Sequence, residues 1–302
     1  MKIATTIGDM YRYSKSPAEA VRMFEGSGFR YLDYAFSCSI TDPNDALLSD
    51  NWAEEIYACK DAAEELGFSF VQAHAPMNAT RGETLEIVQR ATIHSIEACG
   101  ILGIRNMVIH SGCFAECKYP DDQAAYFKEN APFFKGLIPA MERNNVHILF
   151  ENTTAKHLGD GMYFPILGRD LNAFVEYMAH PLFGAAWDVG HAHMDGIDHY
   201  TQIMEMGQNL KAIHVHDNNG LTDLHTAPFC GTLDFDSMMK GLIESGYQGY
   251  FTLESGGFFN YQRNPNLSGR LAHPPLEVKK MALAMLYTIS KSILTAYDAF
   301  EV

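Results

Sequence analysis

Short apolar, β-branched or aromatic runs alternate with longer helix-patterned stretches from one end of this chain to the other, eight times over. The strand-like runs are 2–8, 30–36, 69–75, 106–111, 147–152, 183–189, 210–216 and 250–255. Helical patterns occupy 17–27, 51–66, 83–102, 121–144, 170–179, 199–207, 235–245 and 275–297. Ser16-Pro17 and Asp170 have the character of helix starts, while Gly67, Gly103 and Gly246 stand where a helix should stop before the next strand. Eight strand–helix pairs predict an α/β chain closed into a (β/α)8 TIM barrel rather than a doubly wound sheet. No proline- or serine-rich linker divides it, so residues 1–302 are read as a single domain. The segment after the first strand, TIGDMYRY, lacks the GxGxxG pattern and argues against a dinucleotide site.

Six of the runs end on a histidine or a carboxylate: FVQAHAP (His74), NMVIHSG (His110), HILFENT (Glu151), GAAWDVGHAH (Asp188, His191), LKAIHVHD (His214) and YFTLESGG (Glu254). Their spacings of 36, 41, 37, 26 and 40 residues each suit one strand and one returning helix. Residues at the same end of successive parallel strands converge, and the carboxyl end is where barrel enzymes place their chemistry. A glutamate closing an apolar strand is costly to bury alone, by several kcal/mol, and a divalent cation offsets that cost. Glu151, Asp188, His214 and Glu254 together form an O3N donor set, suited to manganese, magnesium, cobalt or zinc more than to copper. His74, His110, His191, Asp223 and His225 bring the candidate ligands to nine, enough for more than one ion or for substrate contacts. His193 and His216, each two residues beyond a stronger candidate, are supporting candidates.

The formal charge of −15, from 22 basic against 37 acidic residues, opposes nucleic-acid binding, and the loops after the early strands lack interleaved basic and aromatic residues. No apolar run reaches the ~18 residues of a membrane span. The start MKIATTIGDMYRY does not resemble a signal or transit peptide. The cysteines (38, 59, 99, 113, 117, 230) form no CxxC pair and suit a reduced, cytoplasmic protein. Cys113 and Cys117 alone have a metal-compatible spacing. Tyr11, Phe36, Trp52, Tyr163, Trp187 and Phe258 are candidates to line a small-molecule pocket, and the loop 256–274, with Arg263 and Arg270, to act as a lid.

FENTT, WDVGHAH, IHVHDNNGLTDLH, GTLDFD and FTLES resemble the sugar phosphate isomerase/epimerase proteins of the xylose isomerase-like TIM barrel superfamily, kin to type IV apurinic endonucleases. The resemblance spans nearly the whole chain and is most specific over 147–255. It implies one divalent metal on Glu151, Asp188, His214 and Glu254, with the two glutamates moving protons through an enediolate of a sugar or sugar phosphate. His191 would orient a substrate oxygen. In the endonuclease branch all nine positions hold three zinc ions, so a zinc-dependent hydrolase is the alternative. The arginine expected in the 3-epimerase pattern after the seventh strand is Gly220 here, which removes that substrate contact. An exposed layer of helices is a surface of the kind that supports a homo-oligomer.

Overall fold

The computed structural model describes residues 1–36, 45–76, 82, 85–156, 161–258 and 273–302. Eight parallel strands run in sequence order: β1 (Ile3–Thr6), β2 (Tyr31–Ala35), β3 (Ser69–His74), β4 (Asn106–Ile109), β5 (His147–Glu151), β6 (Phe183–Asp188), β7 (Leu210–His214) and β8 (Phe251–Leu253). β8 pairs with β1, and a parallel bridge between Val215 and Leu253 joins β7 to β8, so the sheet closes on itself. Each predicted strand is present, a little shorter than its apolar run. This is the TIM barrel that the alternation implied.

Helices alternate with the strands: α1 (Pro17–Arg22), α2 (Trp52–Leu66), α3 (Leu85–Leu102), α4 (Gln123–Asn144), α5 (Gly168–Met178), α6 (Val189–Met194), α7 (His199–Met206), α8 (Phe235–Glu244) and α9 (Leu276–Ala296). Ser16 caps α1 by accepting the Glu19 amide hydrogen at 3.2 Å, with Pro17 at the first helical position. α6 was not foreseen. The run WDVGHAH reads as strand and loop, yet its last residues coil because the Asp188 carboxylate accepts the His191 amide at 2.7 Å.

Strand alternation sorts the core into two parts. Met107, Ile109, Ile148, Phe150, Ala185, Trp187 and Ile213 face the helices and join one large apolar cluster. Val108, Leu149, Ala186 and Ala212 form a separate buried group inside the barrel. Each inner residue precedes a candidate ligand by two positions (His110, Glu151, Asp188 and His214), hence on the same face. The barrel is plugged by small apolar side chains, and the polar residues stand on that plug at the carboxyl end. Two expected pocket aromatics, Tyr163 and Trp187, are instead wholly buried in the outer core. Tyr11, Phe36 and Trp52 do line a cavity of about 320 Å³, and Phe258 packs against the core.

Candidate metal centre

Glu151 stands at the centre of one cluster, buried to 1% exposure at the end of β5. Its Oε1 lies 2.5 Å from His214 Nδ1. Its Oε2 lies 3.1 Å from His110 Nε2 and 3.4 Å from His74 Nε2. His74 Nδ1 is 2.8 Å from the Ala75 carbonyl, which can only accept, so Nδ1 donates and Nε2 is the nitrogen aimed at the carboxylate. Burial pushes the Glu151 carboxyl up, but the facing His214 and His110 outweigh it and hold it well below its usual range. Burial pushes His110 down to about 4, whereas at His214 the facing Glu151 and Glu254 outweigh burial and hold the imidazole well above its usual range.

The tertiary structure brings Glu151, Asp188 and His214 into one group with ligand atoms within 4.8 Å of one another, and His74, His110 and Glu151 into a second. Glu254, just past β8, lies beside the first group: its Oε2 is 3.7 Å from His214 Nδ1. A third group holds His191, His216, Asp223 and His225. Asp188 joins the first and third groups, with Oδ1 3.1 Å from His216 Nε2 and 3.6 Å from His191 Nδ1. Burial raises the Asp188 carboxyl, and His191 and His216 more than reverse that. All nine expected residues therefore gather at one end of the barrel. His191 turns Nε2 toward Asp223 Oδ2, at 3.5 Å, rather than standing alone in the cavity. No cysteine joins a ligand group among the described residues, and the Cys113 side chain is exposed while Cys117 is buried. Cys38, Arg263 and Arg270 lie outside the described residues.

These donors fit a divalent cation. The buried Asp188 Oδ2 meets no hydrogen-bond partner among the described residues, a cost that a cation relieves. Behind the ligands sits a support the sequence reading missed. Gln72 Nε2 lies 2.8 Å from His214 Nε2 and donates to Asp33 Oδ2 at 3.2 Å, while Thr252 Oγ1 donates to Gln72 Oε1 at 3.2 Å. Asn152 donates to the Asp188 carbonyl at 2.9 Å and accepts the Asp188 amide at 2.7 Å, fixing the β5 and β6 ends together. Parity offered the signal: Gln72 and Thr252 precede His74 and Glu254 by two residues, and a lone Asp33 interrupts an apolar strand. His193, by contrast, meets Thr232 Oγ1 at 2.9 Å on the outside.

Gly220 takes φ +72°, a left-handed conformation that an arginine side chain would strain, and its carbonyl accepts the Lys156 ammonium at 2.7 Å. The missing arginine is therefore also disfavoured by the turn itself.

Among solved structures, a D-allulose 3-epimerase from Methylomonas sp. superposes with a TM-score of 0.71 at 16% identity, covering 97% of this chain and 98% of that one. An uncharacterised protein of Methanocaldococcus jannaschii is 31% identical over 195 residues, 61% of this chain and 64% of that protein. Fructoselysine 3-epimerase of Escherichia coli O157:H7 is 32% identical over 68 residues, 22% of this chain and 24% of that enzyme. The chain thus matches less than two thirds of the length of these curated relatives. The family model described as xylose isomerase-like TIM barrel matches residues 21–268, from before β2 to beyond β8, and the chain belongs to that family.

Proposed function

We propose that the protein is a divalent-metal-dependent isomerase or epimerase of a sugar or sugar derivative, with Glu151 and Glu254 as its proton-transfer pair. The observation that carries this reading is the placing of two carboxylates on one imidazole: Glu151 Oε1 at 2.5 Å and Glu254 Oε2 at 3.7 Å from His214 Nδ1. They come from strand ends far apart in sequence and converge where a hydroxy-carbonyl substrate would sit. The epimerase names of the fructoselysine relative and the allulose neighbour agree with that chemistry.

Glu151, Asp188, His214 and Glu254 would hold the cation, which when bound polarises the substrate carbonyl and favours enediolate formation. Glu151, kept ionised chiefly by the facing His214, is in the form needed to take a proton from the carbon beside the carbonyl. Glu254, with its side chain 30% exposed, can reach a substrate and return a proton from the other side. Return to the same carbon gives epimerisation, and return to its neighbour gives aldose–ketose isomerisation. Gln72 and Asp33 keep His214 turned toward the two glutamates.

The test is solvent deuterium incorporation into a panel of ketoses, with Glu151→Gln and Glu254→Gln beside the parent enzyme. Exchange should occur in the parent and be abolished in each variant, with the circular-dichroism spectrum unchanged. Undiminished exchange in both variants would refute the assignment. A multi-zinc hydrolase is the second reading, favoured by the three ligand groups; cleavage of abasic duplex DNA without ketose exchange would replace the first reading with this one.

A further inference from the structure

Lys279 is the one fully buried lysine among the described residues, and no step described above uses it. It lies near the start of α9, where its Nζ donates to the Gly256 carbonyl at 3.2 Å and stands 3.8 Å from Asp9 Oδ2. Asp9 follows β1, and its side chain is only 6% exposed. Gly256 lies two residues past Glu254. We propose that Asp9 and Lys279 are positioning residues for Glu254, a buried ion pair that grips the peptide at Gly256 and so aims the carboxylate two residues earlier. That role rests on the one given to Glu254 above.

Three observations carry it. The first is how little the pair contributes as a stabilising contact. Burying a lysine and a carboxylate is costly, and only a close, fully hydrogen-bonded pair offsets the cost. Here the charges stand 3.8 Å apart, and Asp9 Oδ2 has no hydrogen-bond partner among the described residues. Apolar side chains of similar volume would usually fill the same space at no loss of stability. What the charged pair adds is a directed, charge-assisted bond from Nζ to one carbonyl, and that carbonyl belongs to the loop carrying Glu254.

The second is the contact on the other side of the same residue. A Cβ on Gly256 would fall 2.2 Å from Asp9 Oδ1, so the main chain there lies directly against the carboxylate. Residue 256 is thus held between a side chain of the last helix and one that follows the first strand.

The third is what the other restraints leave open. The Glu254 amide donates to the Val215 carbonyl at 3.0 Å, and the Glu254 carbonyl meets His225 Nδ1 at 2.8 Å. Ser255 Oγ donates to the Val215 carbonyl at 3.2 Å. These bonds fix the strand end as far as residue 255. The Glu254 side chain is 30% exposed, and its Oε2, 3.7 Å from His214 Nδ1, is outside hydrogen-bond reach. Its aim follows from the backbone beneath it, and the Lys279 bond is the restraint on the next residue. Burial raises the Asp9 carboxyl, Lys279 lowers it and Glu254 raises it again, so the pair lies within electrostatic reach of Glu254.

The experiment is calorimetric manganese titration of the chelator-stripped full chain, in a cycle of Lys279→Met, Glu254→Gln and the two together. Lys279→Met should weaken manganese binding by about 10-fold in the parent background, and by less than about 2-fold where Glu254 is already glutamine. Equal losses in both backgrounds would mean that Lys279 supports the fold rather than Glu254, and would overturn the proposal. An unchanged affinity in Lys279→Met would overturn it too. The paired variant, Asp9→Asn with Lys279→Met, leaves no buried charge uncompensated and keeps the test decisive where Lys279→Met alone does not fold. Its urea midpoint should return to that of the parent while its manganese affinity stays weakened; recovery of both would mark a purely structural pair and refute the positioning role. Ketose exchange is read on the same proteins, where kcat should fall in Lys279→Met with KM little changed. Lost coupling to Glu254 refutes the positioning role alone, whereas coupled affinities with no exchange in the parent refute the epimerase reading alone.

Discussion

His214 shows how a candidate ligand is oriented by residues behind it. Its outer nitrogen is held against Gln72 and Asp33, both buried, so the inner nitrogen has one orientation. Gln72→Leu removes that restraint and leaves Asp33 without its amide partner; metal affinity measured calorimetrically should fall by about 10–100-fold. His199 gives a pH signature away from the cluster. Burial pushes it down to about 4, and its Nδ1 faces the indole nitrogen of Trp187 at 3.4 Å. Between roughly pH 6.5 and 4 the unfolded chain takes up a proton that the folded one refuses. Stability is therefore complete above about pH 6.5 and declines as pH falls toward 4, by about 3 kcal/mol from this residue. His199→Asn, whose amide oxygen can accept the same bond, should reduce the difference between urea midpoints at pH 7 and pH 5; an unaltered difference refutes this. His74, His110, Glu151, Asp188, His214 and Glu254 were legible because each ends an apolar run. His216 was read only as a supporting candidate, and Gln72 and Asp33 were missed although strand parity marks them, because what they face, His214, comes from a strand more than a hundred positions away.

Among the elements, α6 is the one that alternation did not announce. It is short, and its N-cap is Asp188, which is also a candidate ligand, so a single carboxylate both starts the helix and ties the Glu151–His214 group to His191 and His216. The longer helices follow their patterns closely, and their ends obey ordinary capping, with Gly67 left-handed after α2 and Asn145 after α4. Ala179 after α5 is the exception, with φ +49° in a place that favours glycine. Ala179→Gly should raise stability by about 0.5–1 kcal/mol, visible as a higher urea midpoint with an unchanged slope. Gly190 works in the opposite sense. Gly190→Ala should displace His216 and lower the melting temperature, even though alanine is the better helix former.

For the molecule as a whole, buried acids and imidazoles are packed at one end of a barrel whose formal charge is −15. A cation that binds only the folded state stabilises it by mass action, about 2.7 kcal/mol at one hundred times its dissociation constant. Chelator dialysis should therefore lower the melting temperature, and zinc or manganese should restore it; an identical midpoint with and without metal would exclude a cation at these ligands. No described helix is long and apolar enough to cross a membrane. The linear order by itself determined the eight-fold alternation, hence the closed barrel, because strand and helix periodicities are local properties of a dozen residues. It also determined which residues end the strands. Only the tertiary structure decided how those ends are partitioned: Glu151 shared between two ligand groups, Glu254 beside them, and His216 drawn into a third by the gap at Gly190. That partition depends on strand register, ring orientation and close approach across the barrel, and these are set by packing between segments far apart in the chain.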